Sequence, residues 1–138
     1  MINQPQIKGI QREAIVFFLE KIKKLDCFSK KEFDILIKQI NEAEIFIEKT
    51  PYYSIVKFQY NGHFSYEYDK NIEMQVINKA HLVPVVFHMY LRDNVLYEFE
   101  YFNADSSEID EKTIFIGDVF IDIYTTGNPA PVMVPQRT

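Results

Sequence analysis

The spacing of hydrophobic positions changes once along the chain, close to Pro51. Between about Gly9 and Leu25, Ile10, Ala14, Phe17, Phe18, Ile22 and Leu25 recur at helical intervals, with Arg12, Glu13, Glu20, Lys21 and Lys24 between them. That is a surface helix with one buried stripe. Ser29-Lys30-Lys31-Glu32 has the form of a capping box, in which Ser29 caps an amide and Glu32 reaches back. It opens a second helix whose stripe is Phe33, Leu36, Ile37, Ile40 and Ala43. Thr50-Pro51 closes the helical region, which thus covers about residues 9–49, and residues 1–8 read as a loose leader.

Beyond Pro51 the period becomes two. Tyr52, Ser54, Val56, Phe58 and Tyr60 alternate with Tyr53, Ile55, Lys57 and Gln59, and Asn61-Gly62 is a hairpin signal. A three-residue loop, Tyr60-Asn61-Gly62, sets Phe58 opposite Phe64 and Val56 opposite Tyr66, which keeps one face apolar. Ile72, Met74 and Val76 mark a short third strand. LVPVVFHMYL (82–91) forms the next, with Pro84 near its start or at an edge. Arg92-Asp93-Asn94 then turns the chain into NVLYEFEYFN (94–103), and TIFIGDVFIDIY (113–124) is the last strand. The Pro- and Gly-rich residues 125–138 form an extended tail, packed along the domain or mobile. The expected architecture is α+β in a single domain. Two N-terminal helices pack on one face of a five- to six-stranded antiparallel meander sheet spanning about residues 52–124.

Register in the second hairpin decides which side chains meet. With Arg92-Asp93-Asn94 as the loop, Leu91, Met89, Phe87 and Val85 face Val95, Tyr97, Phe99 and Tyr101, an apolar seat for the helices. On the other face Tyr90 meets Leu96, His88 meets Glu98, and Val86 meets Glu100. In the last strand Phe115, Val119, Ile121 and Ile123 share one face, and Asp118, Phe120, Asp122 and Tyr124 the other. Pairing of that strand beside residues 95–103 would gather Glu98, Glu100, Asp118, Asp122, His88, Tyr90 and Phe120 on one surface.

Three readings fit such an acidic, aromatic patch. It is a solvated sheet face, with His88–Glu98 an exposed cross-strand pair. Or it is a docking surface for a basic partner, since a concentration of like charges costs stability and aromatics are enriched at interface cores. Or it is an enzyme site, with a Glu as acid and His88 as base, or a carboxylate–His metal site. No nucleophile or substrate loop accompanies the patch, which weakens the third.

Composition narrows the classes further. At 138 residues the chain is long enough to bury a core without staples, and 47% hydrophobic with 25% charged residues excludes wholesale disorder. A net charge of −5 argues against nonspecific binding to nucleic acid or an anionic membrane. Cys27 is the lone cysteine, so neither an intramolecular disulfide nor a cysteine-based zinc site can form. Cys27 itself reads as a small buried apolar residue. No signal peptide is visible and runs such as AIVFFL (14–19) are too short to cross a bilayer, so a reduced, cytoplasmic setting is expected. His63 and His81 carry no metal-ligand spacing, and ADSSEIDEK (104–112) lacks a calcium-loop pattern. No cofactor is implied. An exposed edge strand leaves a homodimer open.

LRDNVLYEFEYFNADSSEID (91–110) resembles a hairpin of small bacterial proteins in which a turn acid and Gly precede a Leu-Tyr-Glu-Leu-Asp-like strand and an acid-Ser loop. Asn94 stands where that pattern has Gly, and Tyr101-Phe102 replaces a Trp-bearing segment. Such proteins look like immunity proteins that neutralise toxins. The resemblance implies a noncatalytic protein-binding module that inhibits a basic toxin by docking and occlusion, and it implies no catalytic residue. The alternative is a small-molecule-binding domain or enzyme with a pocket between the helices and the curved sheet.

Overall fold

The computed structural model describes residues 1–25, 29–60, 70–77, 83–92, 95–125 and 132–134. Among the described residues, two helices, α1 (Gly9–Lys23) and α2 (Lys30–Glu42), precede seven strands. These are β1 (Glu44–Lys49), β2 (Tyr53–Gln59), β3 (Lys70–Ile77), β4 (Val85–Arg92), β5 (Val95–Asn103), β6 (Asp118–Thr125) and β7 (Val132–Val134). The expected α+β architecture is present, with antiparallel pairing throughout one sheet of order β1-β2-β5-β4-β3-β6-β7. The order departs from a simple meander twice, where β2 joins β5 and β3 joins β6. No helix among the described residues is long and apolar enough to cross a membrane.

The capping box at the start of α2 forms as its sequence dictates. Ser29 Oγ accepts from Glu32 N at 3.0 Å, and Glu32 Oε1 accepts from Ser29 N at 3.3 Å. The buried stripe of α1 is Gln11, Ala14, Ile15, Phe18, Leu19 and Ile22, rotated from the expected one so that Ile10 and Phe17 lie at its margin. Phe18 meets Phe99 edge-on at 5.4 Å, and Phe17 contacts Phe87 and Phe115, which fixes α1 over β4 and β5. The core continues through Met74, Met89, Ile121 and Ile123 on the same sheet face.

Several expectations need correction. The helical region ends at Glu42, not Lys49. Ala43 turns to extended backbone and residues 44–49 pair with β2, where two β-branched isoleucines and Phe46 suit a strand. The leader is docked rather than loose: Ile2, Gln4 and Ile7 are buried. The Gln4 side-chain amide donates to the carbonyls of Ile40, Asn41 and Ala43, supplying partners to a helix end that has run out of its own. Residues 113–117 are turn and irregular backbone ahead of β6, although Ile114 is buried and Phe115 packs on the core. Within the expected tail, Val132–Val134 pairs with β6, in keeping with the packed alternative. The predicted loop and strand at residues 61–69 lie outside the described residues. Val56, however, has Ile47 on one side and Phe99 on the other, so both its lateral positions are taken.

The second hairpin holds the most consequential difference. Phe87 pairs with Tyr101, His88 with Glu100, Met89 with Phe99 and Tyr90 with Glu98, whereas Leu91 pairs with Leu96. Between these pairs β5 carries one extra residue, a β-bulge. The bulge inverts the alternation: Leu96 is buried and Tyr97 is 38% exposed, where unbroken alternation put Val95 and Tyr97 in the core. Leu96 N donates to Oε1 of fully buried Gln39 on α2, at 2.8 Å. The second helix thus supplies the acceptor that the bulged strand uses.

Candidate functional site

The face of the sheet away from the helices carries a lateral row of side chains that is polar at every position but one. Reading across the paired residues, it runs Glu48 (β1), Ile55 (β2), Glu100 (β5), His88 (β4), Glu73 (β3) and Asp122 (β6). The neighbouring rows on this face bring Lys57, Glu98 and Tyr90 on one side and Phe102, Val86, Gln75 and Phe120 on the other.

Every residue expected on the patch therefore lies on this face, though in a different arrangement. β6 pairs with β3 and not with β5, which puts two strands between Glu100 and Asp122. Strand spacing alone makes that separation on the order of 14 Å. Asp118 sits opposite Ile77, three rows from Glu98, and the two are on the order of 25 Å apart. His88 is opposite Glu100, and Glu98 faces Tyr90 and Lys57. Phe120 is beside Gln75. The surface is a broad acidic sheet face rather than a compact cluster.

At its centre is a network that sequence reading missed because it overlooked Glu73. His88 Nδ1 lies 2.6 Å from Tyr90 Oη and 3.3 Å from Glu100 Oε1, and Tyr90 Oη is 3.0 Å from that same oxygen. One proton assignment serves all three contacts: Nδ1–H is shared between the phenol oxygen and Glu100 Oε1, and the phenol donates to Glu100. On the other side, His88 Nε2 faces Glu73 Oε1 at 3.5 Å, and Gln75 Nε2 donates to that carboxylate at 3.3 Å. When protonated, His88 donates in both directions. The side chains of His88, Glu73 and Glu100 are about one-fifth exposed, and Phe102 meets the imidazole edge-on at 5.7 Å. The signal for Glu73 was available: in KNIEMQVI the alternation that buries Ile72 and Met74 turns Glu73 to the face of His88.

The electrostatics follow the geometry. The hydrogen bond from His88, reinforced by Tyr90, holds the Glu100 carboxyl below its usual range against the opposing effect of burial. Burial, then the hydrogen bond to Glu100, pushes the Tyr90 phenol far up. Asp122 moves the other way. Burial raises its carboxyl, and Glu73, directly opposite on β3, raises it further. The signs of the pH effects differ accordingly. Glu100 contributes stability above its unfolded-state range, and that contribution is lost as pH falls through its lowered value. Asp122 binds its proton more tightly when folded, so stability is lost as pH rises from the unfolded carboxylate range through its raised value. Asp122→Asn should therefore stabilise the fold at pH 7 by a few tenths to about 1 kcal/mol. Urea titrations at pH 7 and below pH ~3 should show the gain at the first and not at the second, where the carboxyl is protonated in both states.

Chemically, this face is suited to attracting cations. Both ring nitrogens of His88 face protein groups, Nδ1 toward Tyr90 and Glu100 and Nε2 toward Glu73. Its two nitrogens look in opposite directions, and no group of three or more His, Cys, Asp or Glu among the described residues could hold a metal ion. His63, His81 and Cys27 lie outside the described residues. The acidic loop after β5 is locally closed: Asn103 Nδ2 donates to Ser107 and to the Glu108 carbonyl, and Asp105 accepts from Ser107 N. No protein-family model matches this chain, and no curated protein or solved structure matches it significantly.

Proposed function

We propose that this protein is a noncatalytic binding module whose helix-free sheet face docks a basic protein. The observation that carries the reading is the row in which Glu73 and Asp122 are held directly opposite each other, with Glu100 beyond His88 and Glu48 farther along the same row. Like charges placed in register destabilise a sheet. A protein selected for stability alone would have an Asn or Lys at one of these positions, whereas a cation-binding face needs the acids. Aromatic neighbours Tyr90, Phe102 and Phe120 supply the apolar contact that interface cores favour. The core beneath is filled by buried rings, and the acids lie outside it.

Association begins with electrostatic steering by the acidic face and is completed by desolvation of aromatic anchors. The resemblance to immunity proteins suggests a basic toxin domain as the partner, neutralised by occlusion, in a bacterial cytoplasm. The test is capture from the native source on immobilised protein at low and high salt. A basic protein should be retained at low salt and released as the Debye length shrinks to about 3 Å near 1 M. It should be lost on an Asp118→Lys/Asp122→Lys column. Equal retention by the charge-reversed column would sink the reading.

A further inference from the structure

The opposite face of the sheet holds an unassigned pocket. A cavity of about 390 Å³ opens where β1, β2 and β5 end beneath the loop after β5, lined by Lys49, Thr50, Ser54, Tyr101, Ile109 and Glu111, with Pro51 at its side. That volume is at the small end of the range for ligand sites. Tyr101 is 1% exposed, and its hydroxyl has no well-formed hydrogen bond to any described residue, although Ser54 lies close enough to offset part of the upward push that burial gives the phenol. Buried hydroxyls are almost always paired, so an orphan at a cavity wall is a group waiting for a ligand. Ser54 stands opposite Tyr101 in the ladder, and its Oγ already accepts from Gln11 Nε2 at 2.9 Å, which leaves its proton to offer. Thr50 Oγ1 accepts from the amides of Tyr52 and Tyr53 and is likewise left with a proton. The Pro51 carbonyl is taken by Ile109 N. At the mouth, Lys49 Nζ meets Glu111 Oε1 at 2.7 Å, both side chains nearly half exposed.

The polar groups with capacity to spare are thus donors, and the one carboxylate at the site is tied to the one ammonium. We propose that this pocket binds a small organic carboxylate with an apolar body. One carboxylate oxygen accepts from Tyr101 and Ser54, the other reaches Lys49 in place of Glu111, and the apolar part lies against Ile109 and Pro51. Glu111 belongs to the exposed loop and can swing out, so in the free protein it stands in for the ligand's charge. The site is on the helix side of the sheet, so it stands or falls independently of the docking face.

Titration of isotope-labelled protein with benzoate and with hexanoate, followed by NMR, tests this directly. Saturable shifts should centre on Ser54, Ile109 and Glu111. Tyr101→Phe and Lys49→Gln should each weaken binding about tenfold or more. Tyr101→Phe keeps the ring, so an unchanged or higher urea midpoint separates lost binding from lost folding. Benzamide, which has the same ring without the charge, should bind more weakly than benzoate. The proposal is overturned if neither carboxylate gives saturable shifts, as when ordered water alone satisfies Tyr101. Unaltered binding by Tyr101→Phe, or benzamide binding as tightly as benzoate, overturns it equally.

Discussion

Phe99→Ala should lower the free energy of unfolding by about 3–5 kcal/mol. Phe99 is 1% exposed and sits at the middle of the aromatic layer, 5.4 Å from the Phe18 ring on α1 and 6.4 Å from Phe87 on β4. Its neighbours are anchored to two different layers, a helix and a hydrogen-bonded ladder, so they cannot collapse into the space a deleted ring leaves. The loss would be a large share of the roughly 5–15 kcal/mol that holds a typical domain folded. A urea midpoint that falls with an unchanged slope is the expected signature. Tyr97→Ala provides the contrast, at under about 1 kcal/mol, because the bulge puts that ring outside the core. With unbroken alternation the two substitutions would cost similar amounts, so the pair also tests the register.

The second large effect concerns the contact that accommodates the bulge. Gln39→Leu keeps an apolar stem in the core but leaves Leu96 N without its acceptor, at an expected cost of about 1–3 kcal/mol. Native-state hydrogen exchange provides the sharper readout. The Leu96 amide should lose protection in the variant by more than the global loss of stability explains. An amide that stays fully protected would mean that Gln39 does not hold the bulge.

These two residues show where sequence reading succeeds and where it stops. Local chemistry was legible: Ser29 and Glu32 form their capping box, and alternation in residues 85–103 correctly put His88, Glu98 and Glu100 on one face and Phe87, Met89, Phe99 and Tyr101 on the other. The bulge was not legible, because the side chain that satisfies it belongs to α2, 57 residues away in sequence. Nor was β1. Ala43 continues the helical stripe of Ile40, no Gly or Pro stops the helix there, and only pairing with β2 makes residues 44–49 a strand. The order of the sheet was hidden for the same reason. Placing β3 between β4 and β6 is a nonlocal choice, and it is this choice that inserts Glu73 between His88 and Asp122. The patch survived because parity is a local property. Its geometry changed because adjacency is not.

That inserted residue gives the functional account its sharpest consequence. If the opposed Glu73 and Asp122 carboxylates are kept for a basic partner, stability and binding should respond to charge at this position with opposite signs. The measurement is the urea midpoint of Asp122→Lys beside its dissociation constant for the basic protein captured by the wild type. An ammonium facing Glu73 turns a repulsive cross-strand pair into an attractive one, so the midpoint should rise, by about 0.2–1 kcal/mol in stability. Affinity should fall about tenfold or more, with a slower association rate at low salt. A variant that binds its partner with undiminished affinity would contradict the claim that this face is the docking surface.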